Sequence, residues 1–169
     1  IVHAINRYHG GFLQVANKLE LLIIRNHNNY EIRRLIDPIE SSKETFLYVV
    51  NIISKNEYRK IGIAYSYQKR AKDDDFNLYP TTPLWQRPFR RDVAWAIEQK
   101  ILSETINSHP IAAELKDWEG WSELRTIESI NLELIDNYCN FLEKEIDRLG
   151  WHKFVVENNL IRESDLIKE

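Results

Sequence analysis

Methionine is absent from this sequence of 169 residues, and cysteine occurs once, at Cys139. A lone cysteine rules out an internal disulfide, and no Cys/His spacing of a zinc site is present. Because position 1 is not methionine either, the chain reads as a segment of a longer polypeptide. No apolar run approaches the roughly 18 residues a membrane span needs, and no signal-peptide pattern opens the chain. These absences predict an intracellular, cytoplasmic protein with no membrane partner. Phosphate-loop glycine patterns and a serine nucleophile elbow are missing too. Glycine is scarce, at five residues, yet one of them, Gly62, interrupts a strand-like run, "YVVNIISKNEYRKIGIAYSYQKR". A strand that keeps an interior glycine usually has something approaching its backbone closely.

What is present is ordinary for a globular protein: 43% hydrophobic and 29% charged residues, in a chain long enough for one sizeable core with a small appendage. The net charge of −3 hides an uneven distribution. Residues 43–100 carry 11 Lys/Arg against 7 Asp/Glu, whereas residues 101–169 carry 7 against 15. The basic middle includes "RPFRR", with Arg87, Arg90 and Arg91. A basic centre beside an acidic third is compatible with a polyanionic partner, and equally with a solvated surface.

The chain divides into three parts. Residues 1–40 read as short helices, "IVHAINRY" and "FLQVANKLEL", turning at Gly10 and Gly11, either a packing unit or a small helix-turn-helix-like DNA contact. "DPIESSKE" (37–44) reads as a polar linker. From Phe46 the period becomes that of strands: "FLYVVNIIS", a turn, then "YRKIGIAYS" predict an antiparallel hairpin. "YQKRAKDDD" predicts a short helix carrying Arg70. The proline-rich "LYPTTPLWQRP" must be irregular or at a sheet edge, and "RRDVAWAIEQKILSETINSH" is helical. "DWEGWSEL" predicts a turn into a short closing strand. A long amphipathic helix over "TIESINLELIDNYCNFLEKEIDRLG" covers the core through Ile127, Ile130, Leu134, Tyr138, Phe141, Leu142 and Leu149. The expected fold is α/β (α+β): a small, mainly antiparallel sheet flanked by helices, with an N-terminal helical pair and a C-terminal covering helix. Its units are 1–40, 46–124 and 125–169.

One residue on the middle helix breaks the pattern. Glu98 falls between Ile101 and Leu102 around the helical wheel, inside the face that packs on the core. A buried glutamate is almost always paired or bound to a cation. It reads as a structural partner of Arg70 or Arg91, or as a metal ligand on a cleft floor.

The order of these pieces, from about Phe46 to Leu124, resembles the GIY-YIG nuclease superfamily. Tyr48 in "FLYVV" stands for the first motif, Lys60-Ile61-Gly62 in "RKIGIA" for the second, as in its phage-type branch. Arg70 follows at the family's spacing, and Glu98 in "AIEQKIL" sits on the corresponding later helix. "YPTTPL" and "EGWSEL" are similar to further landmarks of that branch. "FLY" keeps only the tyrosine of the first motif, Asp74 stands where many members carry tyrosine or histidine, and Asn107 is out of register with the late asparagine.

The resemblance implies a metal-dependent DNA endonuclease. Glu98 would hold one Mg²⁺ or Mn²⁺, and Arg70 would brace non-bridging phosphate oxygens through its guanidinium fork. Lys60 or Tyr48 would help deprotonate the water, which requires a lowered pKa. Gly62 would let a phosphate or the adjacent helix reach the strand. Tyr65 and Tyr67 could stack on bases, and Arg87, Arg90 and Arg91 would meet the DNA backbone. Taken singly, each residue has a plain structural use: Tyr48, Tyr65 and Tyr67 as packed aromatics, Lys60 as a solvated strand residue, Arg70 in a surface ion pair. The departures from the motifs keep a second class open, a DNA-binding or protein-interaction module that retains the fold without cleavage.

Overall fold

The computed structural model describes residues 29–53, 57–70, 72, 80–108 and 122–166. The expected N-terminal helical pair and Asp74 lie outside the described residues.

The β-branched and aromatic run before Gly62 folds as the hairpin its pattern predicts. Strands β1 (Glu44–Ile52) and β2 (Tyr58–Ala64) pair antiparallel, with Tyr48 opposite Gly62 and Val50 opposite Lys60. Strand β3 (Thr81–Arg90) lies on the other side of β1, and the short β4 (Leu124–Thr126) closes β2, giving the order β3-β1-β2-β4. Every pairing is antiparallel, and helices pack on both sides of the sheet, the α+β arrangement expected.

The proline-rich stretch is an edge strand. Pro83 and Pro88 are five residues apart, so in a regular strand one of them would face β1 where an N–H donor is needed. The register shifts between Val49 and Val50, leaving Leu84 as an extra residue between Trp85 and Pro83. That bulge resets the alternation, and both prolines turn their missing donor away from β1.

Helix α1 (Asn29–Ile36) leads into α2 (Pro38–Ser41), where a linker was expected. The reason is a cap: Asp37 Oδ1 accepts from the backbone N–H groups of Ile39 and Glu40 at 2.9 and 2.8 Å, and Pro38 occupies the first helical position. A short helix, α3 (Tyr67–Arg70), follows β2 and carries Arg70 as expected.

Helix α4 (Arg91–Glu104) starts directly from β3 and is the central element. Ala94, Trp95, Ala96, Ile97, Ile101 and Leu102 are all buried, so it is apolar on most of its circumference. It packs against β1, β2 and β3 as well as α1. Its C-terminus is tied to β4 by Arg125, which is fully buried. Arg125 donates to Leu102 O at 2.9 Å, Thr105 Oγ1 at 3.0 Å, Ser122 O at 3.0 Å and Leu124 O at 2.5 Å. A cation on these carbonyls also complements the negative end of the helix dipole.

The long C-terminal helix is shorter than expected and turns a different face inward. Helix α5 spans Ile135–Leu149, and turns occupy the residues before it. Ile135, Cys139, Leu142 and Ile146 are buried, spaced four, three and four residues apart, while Leu134 and Phe141 are more than half exposed. Burial pushes the Cys139 thiol up to about 12, so it is a packed, unreactive group. Gly150, at φ 83°, adopts a backbone that favours glycine and turns the chain into α6 (Trp151–Glu157).

The residues after Gly150 were expected only as part of a C-terminal helical extension, 125–169, and they are helical in two short pieces. Phe154, Val155, Leu160 and Ile161 join the same core as Ile32, Leu35, Leu47, Ile61 and Ile97. Trp151 Nε1 donates to Asp92 O at 2.7 Å, and α7 (Glu163–Leu166) returns to pack on α1. The tail thus reaches the same end of the molecule as the start of α4.

Candidate active site

Strand alternation divides β1 between two clusters. Leu47 and Val49 belong to the main core, whereas Tyr48 and Val50 join Tyr67 in a smaller one. A cleft of about 500 Å³ lies where the two meet, lined by Tyr48 of the smaller cluster and by Ile32, Trp95 and Leu102 of the main core. Tyr48 from β1, Lys60 from β2, Arg70 from α3 and Glu98 from α4 all line it. On α4, Arg91, Trp95, Glu98 and Leu102 form one stripe along the cleft, at the four-three-four spacing of a helix face.

Gly62 has a different use from the one expected. A Cβ built there would lie 2.5 Å from Tyr48 Oη and 2.7 Å from Tyr48 Cζ. The group that comes close is the tyrosine ring of the neighbouring strand, not a phosphate or a helix. The missing side chain makes the groove in which Tyr48 lies flat against β2. On its other side the Tyr67 ring stands 5.6 Å away, tilted by 55°. Tyr67 is buried, and its hydroxyl bonds Thr81 Oγ1 at 2.8 Å. It is therefore a wall for Tyr48, which corrects its assignment as a base-stacking residue.

Burial pushes the Tyr48 phenol well above the ordinary tyrosine value. The positive charge of Arg70 opposes this, the carboxylate of Glu98 reinforces it, and Arg70 also hydrogen-bonds the phenol. Tyr48, Arg70 and Glu98 are thus electrostatically connected. The direction is opposite to the lowering that a base acting at neutral pH needs, and Tyr48 enters the cleft as a neutral phenol.

Lys60 is not solvated. It is 1% exposed, forms an ion pair with Glu123, and places its ammonium 5.7 Å from the centroid of the Tyr48 ring. Glu98 is also buried, and Gln99 Nε2 donates to its Oε2 at 3.1 Å. Arg91, expected on a DNA-facing surface, is buried and pairs with Glu31 at 2.5 Å inside the cleft.

The other basic candidates scatter. Arg87 lies over the Phe89 ring and bonds Asn140 at 2.8 Å, with Asp136 and Glu143 of α5 nearby. Arg90 projects to the opposite face of β3, where it bonds Asp92. Arg87, Arg90 and Arg91 therefore form no common surface. Tyr65 is exposed at the rim, with Arg34, Lys43 and Arg91 at 5.7, 6.0 and 5.0 Å from its ring. Its hydroxyl accepts from Arg34 at 2.8 Å and donates to Glu40 at 3.3 Å.

Among the described residues no group of three or more His, Cys, Asp or Glu side chains is placed to hold a metal. The donor set fits a hard cation only in the sparse manner of Mg²⁺, which takes one or two carboxylates and completes its shell with water and substrate phosphate. Glu98 would be that carboxylate.

The charged contributors to the cleft that were not found from sequence include Glu31, Glu123 and the tail residue Asp165. Glu123 lies in "EGWSEL", a stretch already singled out, but nothing in its spacing pointed to Lys60. The tail did carry a signal, since Trp151, Phe154 and Val155 repeat at helical spacing. No family model, no curated protein and no solved structure matches the chain.

Proposed function

We propose that this cleft hydrolyses phosphodiester bonds of DNA and that the chain is a metal-dependent endonuclease of the GIY-YIG type. One observation carries this reading. Four residues singled out by motif order, on two strands and two helices, line one solvent-connected cleft although 50 residues of chain separate the first from the last.

The chemistry follows from the placement of charge. Phosphodiester hydrolysis builds negative charge on the non-bridging and leaving oxygens, and fixed cations that meet it lower the barrier. Arg70 offers a guanidinium fork hydrogen-bonded to the Tyr48 phenol, and Lys60 offers an ammonium 5.7 Å from the centroid of that ring. Glu98 would hold Mg²⁺, which supplies charge neutralisation and lowers the pKa of bound water. Tyr48 would orient the attacking water through its neutral hydroxyl. The rim formed by the exposed Lys43 and Tyr65 and the half-buried Arg34, with Glu40 between the two cations, would meet the flanking DNA backbone.

A second reading is favoured by one specific feature: the chain's own carboxylates already neutralise Lys60 and Arg91. On this reading the domain binds DNA or a protein without cutting. Incubating the purified chain with supercoiled plasmid, with Mg²⁺ or with a chelator, separates the two. Nicking that needs the metal supports the nuclease; DNA binding without nicking supports the module.

A further inference from the structure

Glu123 meets Lys60 in an unusual setting. The lysine is almost fully enclosed, paired across β2–β4 with Leu124, whereas the glutamate side chain is 31% exposed on the cleft wall. Both members of the pair line the cleft, the carboxylate the more exposed of the two, and the ammonium stands 5.7 Å from the centroid of the Tyr48 ring. Glu123 also stands on fixed backbone. Arg125 Nη1 donates to the carbonyls on both sides of it, Ser122 O at 3.0 Å and Leu124 O at 2.5 Å, and Nη2 of the same guanidinium holds Leu102 O on α4. Other charged groups lining the cleft include Arg70, beside the Tyr48 phenol, and Glu98 and Arg91 on α4.

Lysine has four rotatable bonds, and an ammonium in an enclosed site needs a partner to hold it at one place. We propose that Glu123 is the positioning residue for Lys60. It fixes the ammonium beside Tyr48, where a phosphate oxygen entering the cleft would meet it, so that Lys60 serves as a set cation and not as a base. This rests on the phosphodiester reading of the cleft and adds a residue that the catalytic motifs do not include. Preorganised supports of this kind matter because a misplacement of about 1 Å can cost about a hundredfold in rate.

The test joins a spectroscopic signature to kinetics. Lysine labelled with ¹⁵N reports ammonium groups held in ion pairs, because exposed ones exchange too fast to be seen; the Lys60 signal is assigned by its loss in Lys60→Met. The wild type should show this signal. Glu123→Gln should lose it, melt cooperatively, and cut plasmid with kcat lowered about a hundredfold and KM nearly unchanged. Glu123→Asp should recover part of both. If Glu123→Gln does not fold, Glu123→Asp decides alone, with a weakened signal and an intermediate kcat expected. A signal that persists without the carboxylate overturns the proposal, and so does loss of the signal with kcat unchanged. A wild-type signal without any cleavage overturns the nuclease reading, and the catalytic role of Glu123 with it.

Discussion

Replacing Gly62 by alanine tests the link between the hairpin and the cleft. The added methyl would sit 2.5 Å from Tyr48 Oη, 2.7 Å from Cζ and 3.2 Å from Cε2. The ring has little room to retreat: Tyr48 is 2% exposed, and Tyr67, pinned through its hydroxyl to Thr81, stands on the other side. Overpacking of this kind costs about 1–3 kcal/mol. Against it stands the gain of about 0.5–1 kcal/mol that alanine normally brings to a strand interior. The net expectation is a loss of about 1–2 kcal/mol, read as a lower urea midpoint at unchanged slope. In a Tyr48→Leu background the obstructing Oη and Cζ atoms are gone. There Gly62→Ala should be neutral or stabilising, a coupling of at least about 1 kcal/mol between the two positions. Gly62→Ala as stable as wild type, with additive behaviour in the cycle, would refute the idea that Gly62 exists to admit the tyrosine.

Other consequences can be checked separately. Because burial holds the Tyr48 phenol above its ordinary value, it stays neutral through pH 9; Tyr48→Phe should lower kcat/KM for cleavage by about the same factor at every pH from 7 to 9, and a loss that grows with pH would show that the phenolate takes part. Removing the Arg125 side chain as Arg125→Ala leaves the carbonyls of Leu102, Ser122 and Leu124 without that donor, and should cost about 3 kcal/mol or more in a denaturant melt. In a DNA-binding titration against salt, Arg34→Ala with Lys43→Ala should lower the slope of log affinity by about 1–2, whereas Arg87→Ala, whose guanidinium is engaged by α5, should change it little.

The legible parts of this fold are those where local pattern and tertiary outcome agree. The β-branched hairpin, the short helix ending at Arg70 and the apolar α4 carry periods that no packing overrode. Glu98 was visible because a carboxylate on an apolar face is costly, and it is indeed buried. The misreadings share one cause, which is that composition does not give the partner. "DPIESSKE" looks like a linker until Asp37 is seen to cap Pro38–Ser41. The α5 face was misplaced by choosing Leu134 and Phe141 and passing over Ile135 and Cys139; the wheel allows either set and only contact with the core decides. The basic run from Arg87 to Arg91 looks like one patch, but strand alternation and the start of α4 send its members three ways. The pairing of Lys60 with Glu123 joins residues far apart in the chain, and periodicity holds no record of it.

The central claim, that Glu98 holds the metal of a hydrolytic cleft, is tested most directly by Glu98→Gln assayed for Mg²⁺-dependent plasmid nicking and for thermal melting on the same sample. The substitution keeps the shape of the side chain and removes the charge. A metal ligand predicts nicking reduced by orders of magnitude, a melting temperature close to wild type, and DNA binding retained or tightened. A purely structural carboxylate predicts the reverse, early melting from a buried cation left without its partner, a loss of about 3–5 kcal/mol. That outcome, in a protein whose wild type does not nick DNA with Mg²⁺, would contradict the account.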